Sequence, residues 1–284
     1  MTIASFRRVV WAHYKKNGRH ELPWRKTTDP YKILVSEVML QQTQVDRVVS
    51  FYTSFIKRFP TARSLASAPL SKVLKAWQGL GYNRRAKMLH AAAKQLSDIH
   101  VLAYRSKHER LQTGMFNRPK TVADLEQLPG VGPYTARAVA AFAWNDPVVM
   151  IETNIRTAVI HHFFPRREKV GDAEIESVLA RALPKDRVRE WYWALMDYGA
   201  HLKRSGISHN ARTKGYVKQS RFAGSARQAR GAILKELARG SISEPRLLGL
   251  LGDDRRPQLR AALLALLTEG FVAKRGRAYA LAQN

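Results

Sequence analysis

The sequence predicts an all-α body followed by a small winged-helix-like unit, and three observations carry that expectation. Apolar residues recur at helical spacing from residue 1 to about 200, while the period-two alternation of half-buried strands is almost missing. With 45% hydrophobic residues in 284, the chain can bury a substantial core. After Leu202 the composition shifts: between Tyr198 and Lys235 there are nine Lys or Arg and no Asp or Glu.

Taken in order, the basic start could mimic a transit peptide, but Phe6, Val9, Val10 and Tyr14 fall at helical spacing and favour a packed first helix. Asp29-Pro30 opens the next helix through "YKILVSEVMLQQ", since Asp caps and Pro suits a first turn. A third helix through "QVDRVVSFYTSFIKRF" stops before Pro60. The spacing predicts further helices over 70–77, 84–97, 121–127, 134–143, 154–163, 172–181 and 186–202. The basic, poorly periodic stretch "VLAYRSKHERLQTGMFNRPKT" reads as a loop or short helix. Residues 203–225 read as a basic linker. Helices are then expected over 226–239, 243–251 and 257–269, before a hairpin in "EGFVAKRGRAYALA" with Arg275-Gly276-Arg277 at its tip. Three helices and a basic hairpin make a winged-helix pattern; the plain alternative is a capping subdomain or protein contact.

The formal charge is +27, from 49 Lys or Arg against 22 Asp or Glu, and a field of that sign points to a polyanionic partner. Residues 201–284 contribute 17 basic and 5 acidic side chains. No apolar run is long enough to span a bilayer, so no membrane partner is expected. With no cysteine the sequence has no disulfide, thiolate metal site or cysteine-ligated iron–sulfur cluster, and no cofactor or metal is expected. His161 and His162 show no metal-ligand spacing and read as packing or surface residues.

The most informative local pattern is "LEQLPGVGPYTARAVAAFAW". Leu125 and Leu128 end one helix, Gly130-Val131-Gly132 make a tight turn, and a helix begins at Thr135. Glycines let the main chain approach a ligand closely, and amides at a helix N-terminus bind an anion such as a DNA phosphate. This is a helix-hairpin-helix signature, and Gly130, Val131, Gly132 and Thr135 are its DNA-facing candidates. Downstream, Glu152 stands just before Thr153-Asn154, two good capping residues. Upstream, Glu37 lies between the apolar neighbours Val35, Val38, Met39 and Leu40, where a Glu is ordinarily exposed or ion-paired.

These segments together resemble the helix-hairpin-helix DNA glycosylase superfamily, and most closely its A/G-specific adenine DNA glycosylases. The resemblance runs from about residue 6 to 202, through "LPWRKTTDPYKILVSEVMLQQTQV", "WQGLGYNRRAKMLHAAAK", "LPGVGPYTARAVAAFA", "IETNIR" and "WALMDYGA". It implies an all-α, two-lobed fold over 1–202 with a cleft for a flipped-out nucleotide; the winged-helix-like domain over 226–284 is read from the residues alone. Glu37 would be the general acid that protonates adenine N7, its apolar neighbours raising its pKa by desolvation. Glu152 would stay ionised and stabilise the cationic sugar, helped by a helix N-terminus. Tyr134 and Asn154 match residues beside the sugar and its acidic partner. Tyr134 also stands where bifunctional relatives carry a lysine nucleophile, so no lyase step is expected. Gln41, Gln42 and Tyr82 match residues that wedge into the base stack. Trp24 and Arg25 match the wall of the base pocket; core packing is the alternative for Trp24 and Tyr82. Arg275 and Arg277 are further DNA-binding candidates. The implied partner is double-stranded DNA with a mispaired or damaged base, bound by a monomer, in a cytoplasmic, nucleoid-associated setting.

The chain departs from the family pattern at four points. Glu152 replaces the family's Asp, extending the carboxylate by roughly 1.5 Å. Lys203 falls where the first ligand of an iron–sulfur cluster would be. Trp193 replaces the Gln or Glu that faces adenine, so excision of another base or lesion is the alternative; a catalytically silent DNA-structure-binding protein is a third. The winged-helix-like unit stands where the family's 8-oxoguanine-reading domain would follow.

Overall fold

Helix caps and apolar stripes set the ends and faces of the observed elements. The computed structural model describes residues 1–105, 121–212 and 221–283. The chain divides into two compact units, each drawn from two separated stretches: Met1–Val38 with Pro119–Lys218, and Met39–Arg118 with Gln219–Asn284.

In the first unit, α1 (Ile3–Asn17) starts at Thr2, whose hydroxyl accepts from the Ser5 amide. Phe6, Val10 and Tyr14 are buried along one stripe, but Val9 is 37% exposed, because it falls off that four-residue spacing. At α2 (Pro30–Leu40) the Asp29 carboxylate accepts from the Tyr31 amide, the cap expected of Asp-Pro. The unit is completed by α7 (Val122–Glu126), α8 (Pro133–Val139), α9 (Thr153–Phe163), α10 (Asp172–Ala182) and α11 (Val188–Arg204). A π-helical turn, Ala140–Trp144, prolongs α8. Phe6 meets Trp191 and Phe163 edge-on at 6.0 and 5.1 Å, joining α1, α11 and α9 in one core. The start of the expected linker packs here too, since Val170 N donates to Arg212 O at 3.0 Å and Arg212 Nε to Arg167 O at 2.7 Å.

α11 and α9 approach closely at Gly199, where an added Cβ would lie 2.0 Å from the Asn154 carbonyl oxygen. Only glycine lets α11 approach the first turn of α9 this closely. Gly199→Ala is therefore expected to cost about 1–3 kcal/mol by overpacking. Urea denaturation checks it, and an unchanged midpoint would mean that the helices separate freely.

The second unit holds α3 (Val45–Arg58), α4 (Ala62–Ala66), α5 (Leu70–Trp77) and α6 (Arg84–Arg105), the last running past the expected end at 97. The poorly periodic 101–121 stretch falls mostly outside the described residues. The terminal elements are α12 (Ala226–Leu237), α13 (Glu244–Leu248) and α14 (Arg256–Thr268), with β1 (Ile242–Ser243), β2 (Val272–Arg275) and β3 (Ala278–Leu281). The strands form an antiparallel sheet in the order β1-β3-β2, with Arg275 opposite Ala278 across a turn that puts Gly276 at φ +60°. Residues 226–283 share their compact unit with 39–105. Leu70 N donates to Gln283 O at 3.3 Å, and Arg230 forks onto Glu269 at 3.0 and 2.8 Å.

Candidate active site

Because α2 is apolar on nearly every side, Ser36 and Glu37 near its middle are buried with it. Ile33, Leu34, Val35, Val38 and Met39 are all buried, and Glu37 among them is 6% exposed. Its partner comes from the other stretch of the same unit: the Tyr134 hydroxyl, on the first turn of α8, donates to Glu37 Oε2 at 3.3 Å. Burial pushes the Glu37 carboxyl up to about 7; the Tyr134 hydrogen bond opposes the rise, the charge of Glu152 adds to it, and Arg25 opposes it. Tyr134 is itself raised well above the usual phenol value, by burial first and then by the Glu37 and Glu152 charges, so it stays a donor.

The loop before Tyr134 differs in detail from expectation. Gly130, at φ +77°, needs a left-handed backbone, but the helix begins at Pro133, capped by Gly132, not at Thr135. The Thr135 side chain is buried at 3% exposure, so it does not face outward as a DNA contact. Val131 is also buried, and its amide donates to Leu128 O at 3.1 Å, which commits it to the turn. Gly132 remains exposed, and an added Cβ there would meet nothing within 4 Å.

Glu152 is itself the cap of α9; Thr153, expected to cap, is the first helical residue. Four donors converge on its carboxylate: the Asn154 and Ile155 amides at 2.7 and 3.4 Å, Thr153 Oγ1 at 2.7 Å and Asn154 Nδ2 at 3.0 Å. The longer side chain reaches back over its own helix N-terminus, an arrangement suited to an acceptor-only anion. Lys203 Nζ donates to Thr153 Oγ1 at 3.0 Å, and burial lowers its pKa despite the pull of Glu152. With Lys203 so engaged and no cysteine in the sequence, these residues do not fit a cysteine-ligated cluster.

Trp24 is buried at 7% exposure. Arg25 and Trp193 meet, the guanidinium 5.4 Å from the ring centroid, and with Tyr14, His20, Arg187 and Glu190 they line a cleft of about 330 Å³. Trp193 also stacks on Phe142 at 6.1 Å. Arg25 is more a structural pair than an open pocket wall: it forks onto Asp197 at 2.7 and 2.9 Å, and Arg19 Nε joins at 2.6 Å. Asp197 stood in the "MDYGA" segment without a role, since its partners are 172 and 178 residues away.

In the second unit, Gln42 and Tyr82 have left-handed backbones, φ +55° and +48°. Gln41 and Gln42 line one groove with Tyr82. Arg85, which the sequence did not single out, ties their loops together by donating to Met39 O, Gln41 O, Thr43 Oγ1 and Gly81 O at 2.9, 2.5, 3.1 and 3.2 Å. Arg275 and Arg277 are exposed at the hairpin and lie outside that groove's lining.

A buried acid near neutrality, a capped second carboxylate in the same unit and a helix-hairpin-helix loop between them define a class: the chain belongs to the HhH-GPD superfamily of base excision DNA repair proteins, whose sequence model matches residues 35–185. Within that class it is similar to proteins named adenine DNA glycosylase. That of Mycobacterium tuberculosis is 37% identical over 193 residues, covering 66% of this chain and 59% of that protein. That of Mycolicibacterium smegmatis is 36% identical over 202 residues, covering 70% and 63%. That of Buchnera aphidicola subsp. Baizongia pistaciae is 33% identical over 204 residues, covering 70% and 53%. The chain thus spans between about half and two thirds of the length of these relatives. Among solved structures, a thermostable thymine-DNA glycosylase superposes with a TM-score of 0.54 at 22% identity, covering 70% of this chain and 86% of that one. A non-covalent endonuclease III–DNA complex gives 0.53 at 20%, covering 69% and 85%. At those identities the likeness is one of fold.

Proposed function

We propose that the chain is a monofunctional DNA glycosylase that hydrolyses the N-glycosidic bond of adenine paired with 8-oxoguanine or guanine, from a nucleotide flipped out of duplex DNA. The observation that carries this reading is Glu37, a buried carboxyl with a pKa of about 7. Simple DNA binding has no use for a proton held there; departure of a purine does. Tyr134 donates to Oε2, which leaves Oε1 to carry the transferable proton. Protonation at N7 lets the base leave with the electrons of its bond to C1′. Glu152, an anion braced by four donors, then faces the cationic sugar until water adds at C1′ and loses a proton. The products are the free base and an abasic site. Tyr134 supplies no amine, so the strand is not cut by a Schiff base. Both reacting groups are side chains of this chain, and the proposal assigns no cofactor.

Trp193 supports a second reading, release of another base, because an aromatic ring under Arg25 offers packing where an amide would offer hydrogen bonds. Single-turnover assays on labelled duplexes carrying adenine opposite 8-oxoguanine, guanine, cytosine or thymine, each read with and without alkali, separate the two. Alkali-dependent breaks opposite 8-oxoguanine or guanine alone are expected. No release of adenine from any duplex would sink the adenine assignment and turn the search to a panel of lesions.

A further inference from the structure

The second unit carries a large groove that the reaction itself does not use. One wall comes from residues 41–51 and 78–85, the other from Phe222, α12 and Glu269. Its volume, about 1550 Å³, exceeds the roughly 300–1,000 Å³ of small-ligand pockets. Its described lining carries six cations, Arg47, Arg84, Arg85, Arg227, Arg230 and Lys235, against one carboxylate, Glu269. That carboxylate is already forked by Arg230, and Arg85 is occupied in tying the loops. Arg47, Arg227 and Lys235 leave a net positive field along the groove.

Flat groups alternate with these charges. Phe222 is 60% exposed, and Tyr82 is held in a backbone conformation that aromatic residues seldom adopt. Arg227 supports Tyr82 from the terminal helix: its Nη1 donates to the Tyr82 hydroxyl at 2.6 Å, and its guanidinium lies 5.7 Å from the ring centroid, with Arg85 at 5.4 Å. Gln44 and Gln78 add amide groups to the lining. Phosphates meet cations, bases stack on rings, and amides pair with base edges; an apolar or cationic ligand would use none of this well.

We infer that this groove binds a DNA strand several nucleotides long and that α12 builds half of it, with Lys235 a phosphate contact and Arg227 a positioning residue for Tyr82. Naming the polymer as DNA rests on the glycosylase reading; the groove's selection of a polyanion with flat bases does not.

The test uses the full chain, a fluorescein-labelled duplex containing an abasic-site analogue, and anisotropy titrations over a salt series. Lys235→Glu, an exposed charge reversal, is expected to weaken binding at least 10-fold and to flatten the log K against log salt slope by about 1. Arg227→Ala is expected to weaken binding as well, with Arg227→Lys recovering the salt slope but not the full affinity, because a lysine cannot reproduce the guanidinium contact with the Tyr82 ring. Thermal melts confirm that the variants fold. Wild-type affinity and slope in folded Lys235→Glu and Arg227→Ala would overturn the inference. So would displacement by polyglutamate with no response to DNA, which would make the surface one for an acidic protein. If the wild type releases no base while Lys235→Glu still loses duplex affinity, the groove stands and the glycosylase reading falls.

Discussion

Glu37→Gln is expected to lower single-turnover base release by roughly 10²–10⁴-fold, the range general-acid catalysis supplies, while leaving duplex affinity near that of the wild type. The same residue predicts two pH effects of defined sign. With the folded-state carboxyl at about 7, the proton-donating form is lost above neutrality, so the wild-type rate should fall tenfold per pH unit once pH exceeds about 7. The folded value lies above the ordinary 4.5, so the group's contribution to stability is fully present below pH 4.5 and is lost as pH rises through 7. The loss amounts to at most about 3 kcal/mol. Glutamine cannot ionise, so the variant should be the more stable protein at pH 8 and show no such advantage at pH 4. Urea melts of both proteins at the two pH values, beside the rate profile, check this. A flat rate profile, or release by Glu37→Gln at the wild-type rate, would remove Glu37 from the chemistry.

Asp197→Ala should be strongly destabilising. The Asp197 side chain is 2% exposed and the Arg25 side chain 4%, so removing the acid strands a buried guanidinium. Breaking such a pair from one side typically costs about 3–5 kcal/mol. Burial by itself would raise the Asp197 carboxyl, but Arg25 and Arg19 outweigh it and hold the group below the usual value. The pair's stabilisation is therefore present above the ordinary 3.8 and is lost only as pH falls below that. A double variant, Arg25→Met with Asp197→Leu, should be less destabilised than Asp197→Ala, because the buried guanidinium goes with its partner and only the part-exposed Arg19 loses its ion pair. Chemical denaturation of the single and double variants gives the comparison. A cost below 1 kcal/mol for Asp197→Ala would mean that water reaches the pair. Arg25 also touches Trp193 in the 330 Å³ cleft, so loss of Asp197 should loosen that wall too.

What the sequence made legible was local. Asp29-Pro30, the Gly-Val-Gly turn and the spacing of Phe6, Val10 and Tyr14 each act within a turn or two of chain, and the corresponding helices begin within about two residues of their expected starts. Glu37 and Tyr134 were each singled out through the family resemblance, but their hydrogen bond was not, since a separation of 97 positions hides the contact. Asp197 and Arg85 escaped for the same reason. Each works by gathering groups from distant stretches, and neither sits in a pattern whose spacing implies a partner. Glu152 and Asn154 were both singled out, but the convergence of four donors on one carboxylate was not, because the fold-back of a glutamate over its own helix depends on a rotamer and not on composition. The sharing of a compact unit by 39–105 and 226–283 was hidden likewise: the basic composition after Leu202 marks a change of partner chemistry and says nothing about packing.

The interleaving of the two units bears on how the chain acquires its structure during synthesis. Residues 39–105 are translated before the groups that complete their unit, among them Glu269 and Gln283, which emerge only after residue 218. More than a hundred residues must be made in between, and they belong mostly to the other unit. The first-made helices of the second unit thus wait with part of their surface uncovered, and the closing contacts carry the high loop entropy that slows assembly. Nascent chains halted before residue 219 should consequently be protease-sensitive and chaperone-bound through the 39–105 segment, and resistance should arrive late and in one step.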